Sequence, residues 1–292
     1  MYDEKDNPIE NTVSAKPFVS SAMSSQGEND GVNLRVMSYN VAVYNNNTTT
    51  YIPDDKILNF RKMLGILNPD IIGTQEDYDK VDTDGTKTAT DYLYLPAISS
   101  NVGVEGANII RSKKSPTSYG RVKYTQYGSR TRGIGYALFV YGEKQLLVAA
   151  THPTWNDTGD GGTAESNIAV RAAQYTELLR WMNGEITLPR YADNVAEYAP
   201  AHTHAIICAD ANSVTDTDKD NLAERAATYG YVLGNGGKLG WFCTNLRDVP
   251  WRALDNIIVS ENIIINNIVA LGEWYNKLYS DHVPLIADVT LL

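Results

Sequence analysis

An aspartate and a histidine lie side by side near the C-terminus, within the run Ser280-Asp281-His282-Val283-Pro284-Leu285. The run comes directly before an apolar segment, 286–292, whose composition is typical of a strand. A carboxylate and an imidazole can hold a metal ion or a phosphate group. Such a pair alone is weak support for a site, so its value depends on whether other polar residues converge on it.

Polar residues also lie at or just beyond an end of predicted strands elsewhere in the chain. They are Asn40, Glu76, His152, Asp210, Asn212 and Asp255. Glu76, with Asp281 or Asn40, offers the hard oxygen ligands that Mg²⁺, Mn²⁺ or Ca²⁺ prefers. The two amides, Asn40 and Asn212, can donate hydrogen bonds to phosphate oxygens without adding negative charge. These residue types indicate a divalent-metal site next to a phosphate.

The other strand-end residues can move protons. His152 and His282 can donate to a phosphate or protonate a leaving oxygen. Asp210 can align or deprotonate a water, and Asp255 can hold His282 in one tautomer. Metal-assisted phosphoester hydrolysis requires an activated water, a charge clamp on phosphorus and a stabilised leaving group. The alternative, that these are ordinary loop and capping residues of an α/β protein, stays open at this point.

The predicted elements form an alternating series of strands and helices. Apolar runs predict strands at 34–40, 71–76, 122–127, 135–141, 145–151, 204–209, 254–259, 263–270 and 285–292. Amphipathic patterns and end signals predict helices at 53–67, 164–182 and 218–229. Residues 77–106 show only a weak, loop-rich pattern. One domain of two sheets with helices outside fits this order better than two domains.

The composition is typical of a globular protein with a sizeable core, since 43% of the 292 residues are apolar and 21% are charged. The net charge of −10 argues against a protein held on nucleic acid mainly by charge. No apolar run reaches the roughly 18–20 residues needed to span a bilayer. Cys208 and Cys243 are too few for a disulfide framework or a four-cysteine zinc site, and Cys208 is predicted to be a buried thiol.

The first 31 residues differ from the remainder of the chain, because they are rich in Ser, Asn, Asp and Glu. We interpret residues 1–31 as a flexible tail or a leader remnant, followed by one folded domain at 32–292. The segment lacks the basic start and apolar stretch of a secretory signal. We favour a secreted or periplasmic protein whose signal is absent from this sequence, and a cytoplasmic one is the alternative. A monomer is the default expectation.

Six short motifs occur in a fixed order over about residues 33–292. They are Ser38-Tyr39-Asn40-Val41, Pro69-Asp70-Ile71-Ile72-Gly73-Thr74-Gln75-Glu76, Thr151-His152-Pro153, Asp210-Ala211-Asn212, the segment 251–260, and Ser280-Asp281-His282-Val283-Pro284. With these motifs the chain resembles the endonuclease/exonuclease/phosphatase family. That family includes pancreatic-type deoxyribonucleases, abasic-site endonucleases, inositol-polyphosphate 5-phosphatases and neutral sphingomyelinases. Each motif is weak alone, and the common order makes the resemblance specific.

The resemblance implies a four-layer αββα sandwich, in which two mixed β-sheets pack face to face with helices on both outer faces. It also implies divalent-metal-dependent phosphoester hydrolysis, with Mg²⁺ expected, Mn²⁺ as a substitute and Ca²⁺ possible. Glu76 would be the principal metal ligand, assisted by Asn40 and Asp281. Two positions depart from the family pattern: Ala209 stands where Gly is usual, and Asn256 where Tyr is usual. We expect Asn256 to alter the packing beneath His282.

The catalytic roles also follow from the resemblance, residue by residue. Asp210 would act on the attacking water, while Asn212 and His152 would contact the scissile phosphate. His282, oriented by Asp255, would stabilise the pentacoordinate transition state. The expected activity is therefore that of a phosphodiesterase, with a nuclease favoured. A phosphatase, a sphingomyelinase-like enzyme acting on a lipid head group, and a non-catalytic module of the same fold are the alternatives.

A basic, tyrosine-rich stretch between Gly106 and Gly142 contains no Asp or Glu. It favours a polyanionic substrate such as nucleic acid, with Arg130, Arg132 and Tyr136 as candidate substrate-binding residues. The alternative is a solvated strand face that balances the acidic remainder.

Two other clusters are not predicted to be sites. The acidic run that begins at Asp77 fails the spacing of a calcium loop and is interpreted as a solvated loop. His202 and His204 alternate at the start of a predicted strand, no third metal ligand is nearby in sequence, and we interpret them as strand-entry residues.

Overall fold

The computed structural model describes residues 31–41, 54–77, 92–95, 108–126, 131–155, 162–213, 220–234, 254–278 and 280–292. The flexible tail predicted for residues 1–31 lies almost wholly outside these ranges, so it stays a prediction. Among the described residues, no helix is long and apolar enough to cross a membrane.

The first sheet has six strands in the order β13-β14-β1-β2-β4-β3. Their bounds are β1 Val32–Asn40, β2 Ile71–Gln75, β3 Leu93–Leu95, β4 Ile109–Ser112, β13 Ile263–Ala270 and β14 Leu285–Leu291. Strands β1 and β2 are parallel, with Asn40 opposite Gln75, while β14 runs antiparallel to β1 with Leu285 opposite Ser38. The ends of β1 and β2 and the start of β14 therefore share one edge.

The second sheet also has six strands, in the order β11-β12-β10-β7-β6-β5. Their bounds are β5 Ser118–Lys123, β6 Gly133–Tyr141, β7 Lys144–Thr151, β10 His204–Asp210, β11 Tyr231–Leu233 and β12 Asp255–Ser260. Strands β7 and β10 are parallel, with Thr151 opposite Ala209, and β12 is antiparallel to β10 with Asp255 opposite Asp210. A short ribbon, β8 Leu188–Pro189 with β9 Ala196–Glu197, lies beside β5.

Helices cover the outer faces of both sheets. They are α1 Asp54–Leu67, α2 Ala164–Met182 and α3 Leu222–Thr228, with a 3₁₀ helix at Gly272–Lys277. One apolar cluster joins the inner faces of the two sheets, a second packs α1 on the first sheet, and a third packs α2 and α3 on the second. The predicted four-layer αββα sandwich of two mixed sheets is confirmed.

The two sheets approach closely where β2 and β10 cross. A Cβ added at Gly73 would lie 2.3 Å from the Cβ of Cys208, which is closer than real Cβ atoms come. Cys208 has no exposed surface, as predicted for a buried thiol. This contact brings the ends of both central strands, and the polar residues there, towards each other.

Most predicted elements match within a few residues, and helix 164–182 matches at both ends. Its start is fixed by a capping box in which Thr163 accepts from the backbone of Ser166, which in turn accepts from Thr163 N. Two predicted boundaries need correction, since β5 ends at Lys123 rather than extending to 127 and α3 begins at Leu222. Strands β3, β4, β8, β9 and β11 were not predicted. Strand β4 has only two apolar residues before Arg111, so its apolar run is too short to signal a strand.

Candidate active site

One edge of the sandwich gathers the predicted polar residues. Asn40 ends β1, Glu76 follows β2, His152 follows β7, Asp210 ends β10, Asp255 begins β12 and His282 precedes β14. Parallel strands end at the same edge of a sheet, and antiparallel partners begin there. The strand register therefore places these residues together, three from each sheet.

Asn40, Glu76, His152 and Asp210 meet at short distances. Asn40 Nδ2 donates to Asp210 Oδ2 at 2.7 Å and to Glu76 Oε1 at 3.2 Å. His152 Nδ1 lies 3.7 Å from Glu76 Oε1, and His152 Nε2 lies 3.4 Å from Asp210 Oδ2. Ligand atoms of Glu76, His152 and Asp210 all lie within 4.8 Å of one another, so these three side chains could hold a metal ion.

The other half of the site is organised around His282. Its Nδ1 lies 2.6 Å from Asp255 Oδ2, and its Nε2 lies 3.7 Å from Asp210 Oδ2. Ser280 fixes the chain before it, because its hydroxyl accepts from His282 N at 3.0 Å and donates to Asn40 O at 2.6 Å. Asp255 contacts one imidazole nitrogen and Nε2 faces Asp210, while the predicted roles of Asp255 and His282 stay predictions.

The electrostatics reflect carboxylates crowded into a desolvated space. Although 24% of the Glu76 side chain reaches solvent, burial raises the pKa of its carboxyl, against the opposing hydrogen bond from Asn40. Burial also raises the pKa of Asp210 to about 7. For His282, burial lowers the pKa, but the charges of Asp255, Asp210 and Asp281 together outweigh it and raise the pKa to about 10. The charge of Asp281 thus acts on this site, as it also does on Glu76.

Two site residues have backbone conformations that are unfavourable for residues with a Cβ. Glu76 and Asn212 both have φ of 52°, in the left-handed region. Asn212 N donates to Asp210 Oδ1 at 3.1 Å, and Asn212 Nδ2 donates to Pro153 O at 2.9 Å. The side chain of Asn212 therefore ties the loop after β10 to the loop that carries His152. Contact between Asn212 and a phosphate stays a prediction.

A buried ion pair that was not predicted contacts the loops after β7 and β10. Arg171, on α2, donates through Nε to Asp220 Oδ2 at 2.6 Å and through Nη1 to Thr154 O at 3.4 Å. Ser213, next to Asn212, donates to Asp220 Oδ1 at 2.8 Å. The position of Arg171 on the apolar face of the predicted helix 164–182 was a signal that it would be buried and paired.

Of the predicted substrate-binding residues, Arg132 lies at the site. It is buried, its Nη1 donates to His152 O at 3.5 Å, and its charge lowers the pKa of Glu76. Arg130 lies outside the described residues. Among the described residues, the guanidinium of Arg132 therefore lies beside the carboxylates of the cleft.

Tyr136 and Asn256 point away from the cleft. Tyr136 faces the helix layer, where its ring lies 5.2 Å from that of Trp181 and its hydroxyl donates to Glu197 Oε1 at 2.5 Å. Its predicted contact with substrate therefore has no support from its position. Asn256 is buried and accepts from Gly234 N at 3.1 Å. Because successive side chains of a strand alternate in direction, it faces away from its neighbour Asp255 and does not lie beneath the His282 imidazole.

The basic stretch does not form one solvated face, and Asp77 is not a solvated loop residue. Asp77 is fully buried and paired with Arg111 on β4. Arg121 is also largely buried, with its guanidinium 4.9 Å from the ring centre of Tyr191. For Arg111, both the polyanion-binding and the solvated-face interpretations are wrong, because it is buried and paired with Asp77, just beyond β2. The remainder of the acidic run, 78–91, lies outside the described residues.

Two six-stranded sheets packed face to face, with helices on both outer faces, form the fold of the endonuclease/exonuclease/phosphatase proteins. Solved structures with this fold include an endonuclease/exonuclease/phosphatase family protein from Bacteroides thetaiotaomicron, at 16% identity and a TM-score of 0.63, with 90% of this chain and 100% of that chain covered. TDP2 of D. rerio, complexed with a single-strand DNA product, is 15% identical with a TM-score of 0.62, over 88% of this chain and 98% of that chain.

Sphingomyelinase C from Streptomyces griseocarneus is similar to the same degree, with 16% identity, a TM-score of 0.61 and coverage of 88% of this chain and 99% of that chain. No protein-family model and no curated protein sequence matches the chain. At these identities the likeness to solved structures establishes the fold, and the chemistry has to be argued from the site.

Proposed function

We propose that this chain is a divalent-metal-dependent phosphoester hydrolase that cleaves a phosphodiester by in-line attack of water. The observation that carries the proposal is the position of Asp210 Oδ2. It lies 2.7 Å from Asn40 Nδ2, 3.4 Å from His152 Nε2 and 3.7 Å from His282 Nε2. A carboxylate surrounded by an amide and two imidazoles, beside a second carboxylate, supplies a base, phosphate donors and cation ligands in one cleft.

The donor set fits a hard divalent cation. Glu76 would be the principal ligand, assisted by Asn40 and Asp281, and these residues offer the oxygen atoms that Mg²⁺ or Mn²⁺ prefers. The raised pKa of Glu76 supports this assignment, because a carboxylate desolvated beside other carboxylates gains most from a cation. When bound, the cation would neutralise developing charge on the phosphate oxygens. Ca²⁺ remains an alternative to test in the same way.

The residues of the chain would divide the proton chemistry between them. Asp210, whose pKa is raised to about 7 by burial, is suited to accept a proton from the attacking water near neutral pH. His282, whose pKa of about 10 keeps it protonated there, would donate to a phosphate oxygen while Asp255 holds its other nitrogen. His152 and Asn212 would contact the scissile phosphate from the loops after β7 and β10.

Nucleic acid is the substrate class that we propose first. Arg132 at the site supports an anionic substrate, and the similar D. rerio protein was solved with a single-strand DNA product. Single-stranded DNA, RNA, sphingomyelin and phosphorylated inositols, supplied at equal concentration with Mg²⁺ or Mn²⁺, would separate the nuclease from the lipid and phosphatase alternatives. Preference for sphingomyelin or an inositol phosphate would replace the nucleic-acid proposal and leave the reaction class unchanged.

Hydrolysis of bis(p-nitrophenyl) phosphate with Mn²⁺ tests the reaction class independently of the natural substrate. Asp210→Ala and His282→Ala are each expected to lower kcat/KM by about 10²–10⁴-fold, the usual effect of losing a general acid or base. His202→Ala is the matched control, since this histidine lies beyond the opposite end of β10 and should retain activity. Activity that survives both site substitutions would exclude the proposed mechanism. A folded wild-type protein without metal-dependent hydrolysis of any substrate would exclude the reaction class.

A further inference from the structure

Glu76 needs help from its neighbours to keep its backbone conformation. Its φ of 52° lies in the left-handed region, which is unfavourable for a residue with a Cβ. The residue before it is held firmly: Val41 N donates to Gln75 O at 3.0 Å, and Gln75 Nε2 donates across the sandwich to Cys208 O at 3.0 Å. What holds the residue after Glu76 is therefore decisive for where its carboxylate points.

That following residue is Asp77, which is fully buried. Its Oδ2 accepts from Thr74 Oγ1 at 2.7 Å and from Arg111 Nη1. Arg111 Nη1 also donates to Thr74 Oγ1, at 3.0 Å. Thr74 precedes Glu76 by two residues and Asp77 follows it directly, so these contacts close the turn across Glu76. Arg111, on the adjacent strand β4, anchors the closed turn to the sheet.

The ion pair is not needed to hold the two strands together. Strands β2 and β4 are already joined by an antiparallel ladder, and Ile71, Ile72, Ile109 and Ile110 along them are fully buried. Buried ion pairs add little net stability compared with apolar residues of similar size, because desolvation offsets their attraction. Their clearer effect is geometric, since the planar guanidinium donates in fixed directions and the short Asp side chain accepts few arrangements.

We propose that Thr74, Asp77 and Arg111 form a latch that holds Glu76 in the left-handed conformation and thereby positions its carboxylate as a cation ligand. This inference rests on the proposed function, because it takes Glu76 to be the metal ligand. Asp77 is adjacent to Glu76 in sequence, but its carboxylate is paired with Arg111 and is not assigned as a cation ligand. Partners that orient a ligand typically change metal affinity by about 10–100-fold when they are removed.

The test measures Mn²⁺ affinity by titration calorimetry and Tm by differential scanning fluorimetry in the same preparations. The double variant Asp77→Leu with Arg111→Met removes the latch without leaving a buried charge. It should keep Tm close to the wild-type value while Mn²⁺ affinity falls by about 10–100-fold. Asp77→Asn keeps an oxygen acceptor for Thr74 and Arg111 but leaves Arg111 without a buried counter-charge, so it should retain most of the affinity at a lower Tm. If the pair of Asp77 and Arg111 is only structural, the double variant should have a lower Tm and the same Mn²⁺ affinity as the wild-type protein.

A matched control comes from the other end of the same sheet, where Arg35 Nε and Asp288 Oδ1 lie 2.7 Å apart. Arg35→Met with Asp288→Leu should leave Mn²⁺ affinity unchanged. Thr74→Val removes one hydroxyl and should weaken Mn²⁺ binding several-fold. This variant tests the latch independently if the double variant does not fold. Wild-type affinity in Thr74→Val, or in a folded double variant, overturns the latch alone. A wild-type protein that binds no cation overturns the latch together with the proposed metal site.

Discussion

An Arg171→Met substitution would leave Asp220 buried without its cation. Both side chains have 0% exposed surface, and Arg171 Nε lies 2.6 Å from Asp220 Oδ2. Removing one partner of such a pair typically costs about 3–5 kcal/mol. Ser213 still donates to Asp220 Oδ1 at 2.8 Å, so we expect the lower end, about 3 kcal/mol. For a domain of this size that loss corresponds to a fall in Tm of about 6–12 °C.

Urea denaturation followed by circular dichroism would measure the change in the free energy of unfolding. Arg171→Met with Asp220→Leu should recover most of the loss, because no charge is then buried alone. Arg180→Met is the control, since Arg180 and Glu185 are each 43% exposed at 3.2 Å and should contribute at most about 1 kcal/mol. A loss in Arg171→Met as small as that of the control would refute the argument from buried charge.

Four further predictions concern the site and its scaffold. Because burial raises the folded-state pKa of Asp210 from 3.8 to about 7, the metal-free protein loses stability as pH rises through this interval. Asp210→Asn should therefore raise Tm at pH 8 and change it little at pH 4, as thermal scans would show. Mn²⁺ at 100 times its Kd should stabilise the wild-type protein by about 2.7 kcal/mol in urea denaturation, and Glu76→Gln should reduce this gain. Gly65→Ala, where an added Cβ meets nothing within 4 Å, should stabilise α1 by about 0.5–1 kcal/mol. Gly73→Ala, with its Cβ 2.3 Å from that of Cys208, should cost about 1–3 kcal/mol in the same urea assay.

The strand-end residues could be predicted because their positions follow from local patterns. Asn40, Glu76 and Asp210 each stand at or just beyond the end of a run of apolar residues, and parallel strands end at one edge of a sheet. The sequence therefore indicates which polar residues share an edge without indicating any distance. Helix 164–182 was predictable from its apolar face, and the structure adds a capping box at its start, formed by residues three apart.

Partners that are distant in sequence could not be predicted in the same way. In the sequence, Asp77 is indistinguishable from the other acidic residues of its run. Its burial depends on pairing with Arg111, which is 34 positions away. The surroundings of Tyr136 could not be predicted for a different reason. Strand alternation shows that its side chain faces one side of the sheet, but not whether a helix or a cleft covers that side. The helix layer that covers it is formed by residues about 45 positions further along the chain, including Trp181.

The predictions for Asp210 and Arg171 have opposite signs, and the contrast separates a residue kept for chemistry from one kept for structure. Burial makes the ionised form of Asp210 unfavourable in the metal-free protein, so replacing it should stabilise the fold while strongly lowering the proposed hydrolysis. Arg171 lies behind the cleft, and replacing it should destabilise the fold. A buried carboxylate with such a raised pKa is unfavourable for folding alone. The proposed function would account for its place at the centre of the cleft, since a cation and a reacting water would both use this carboxylate.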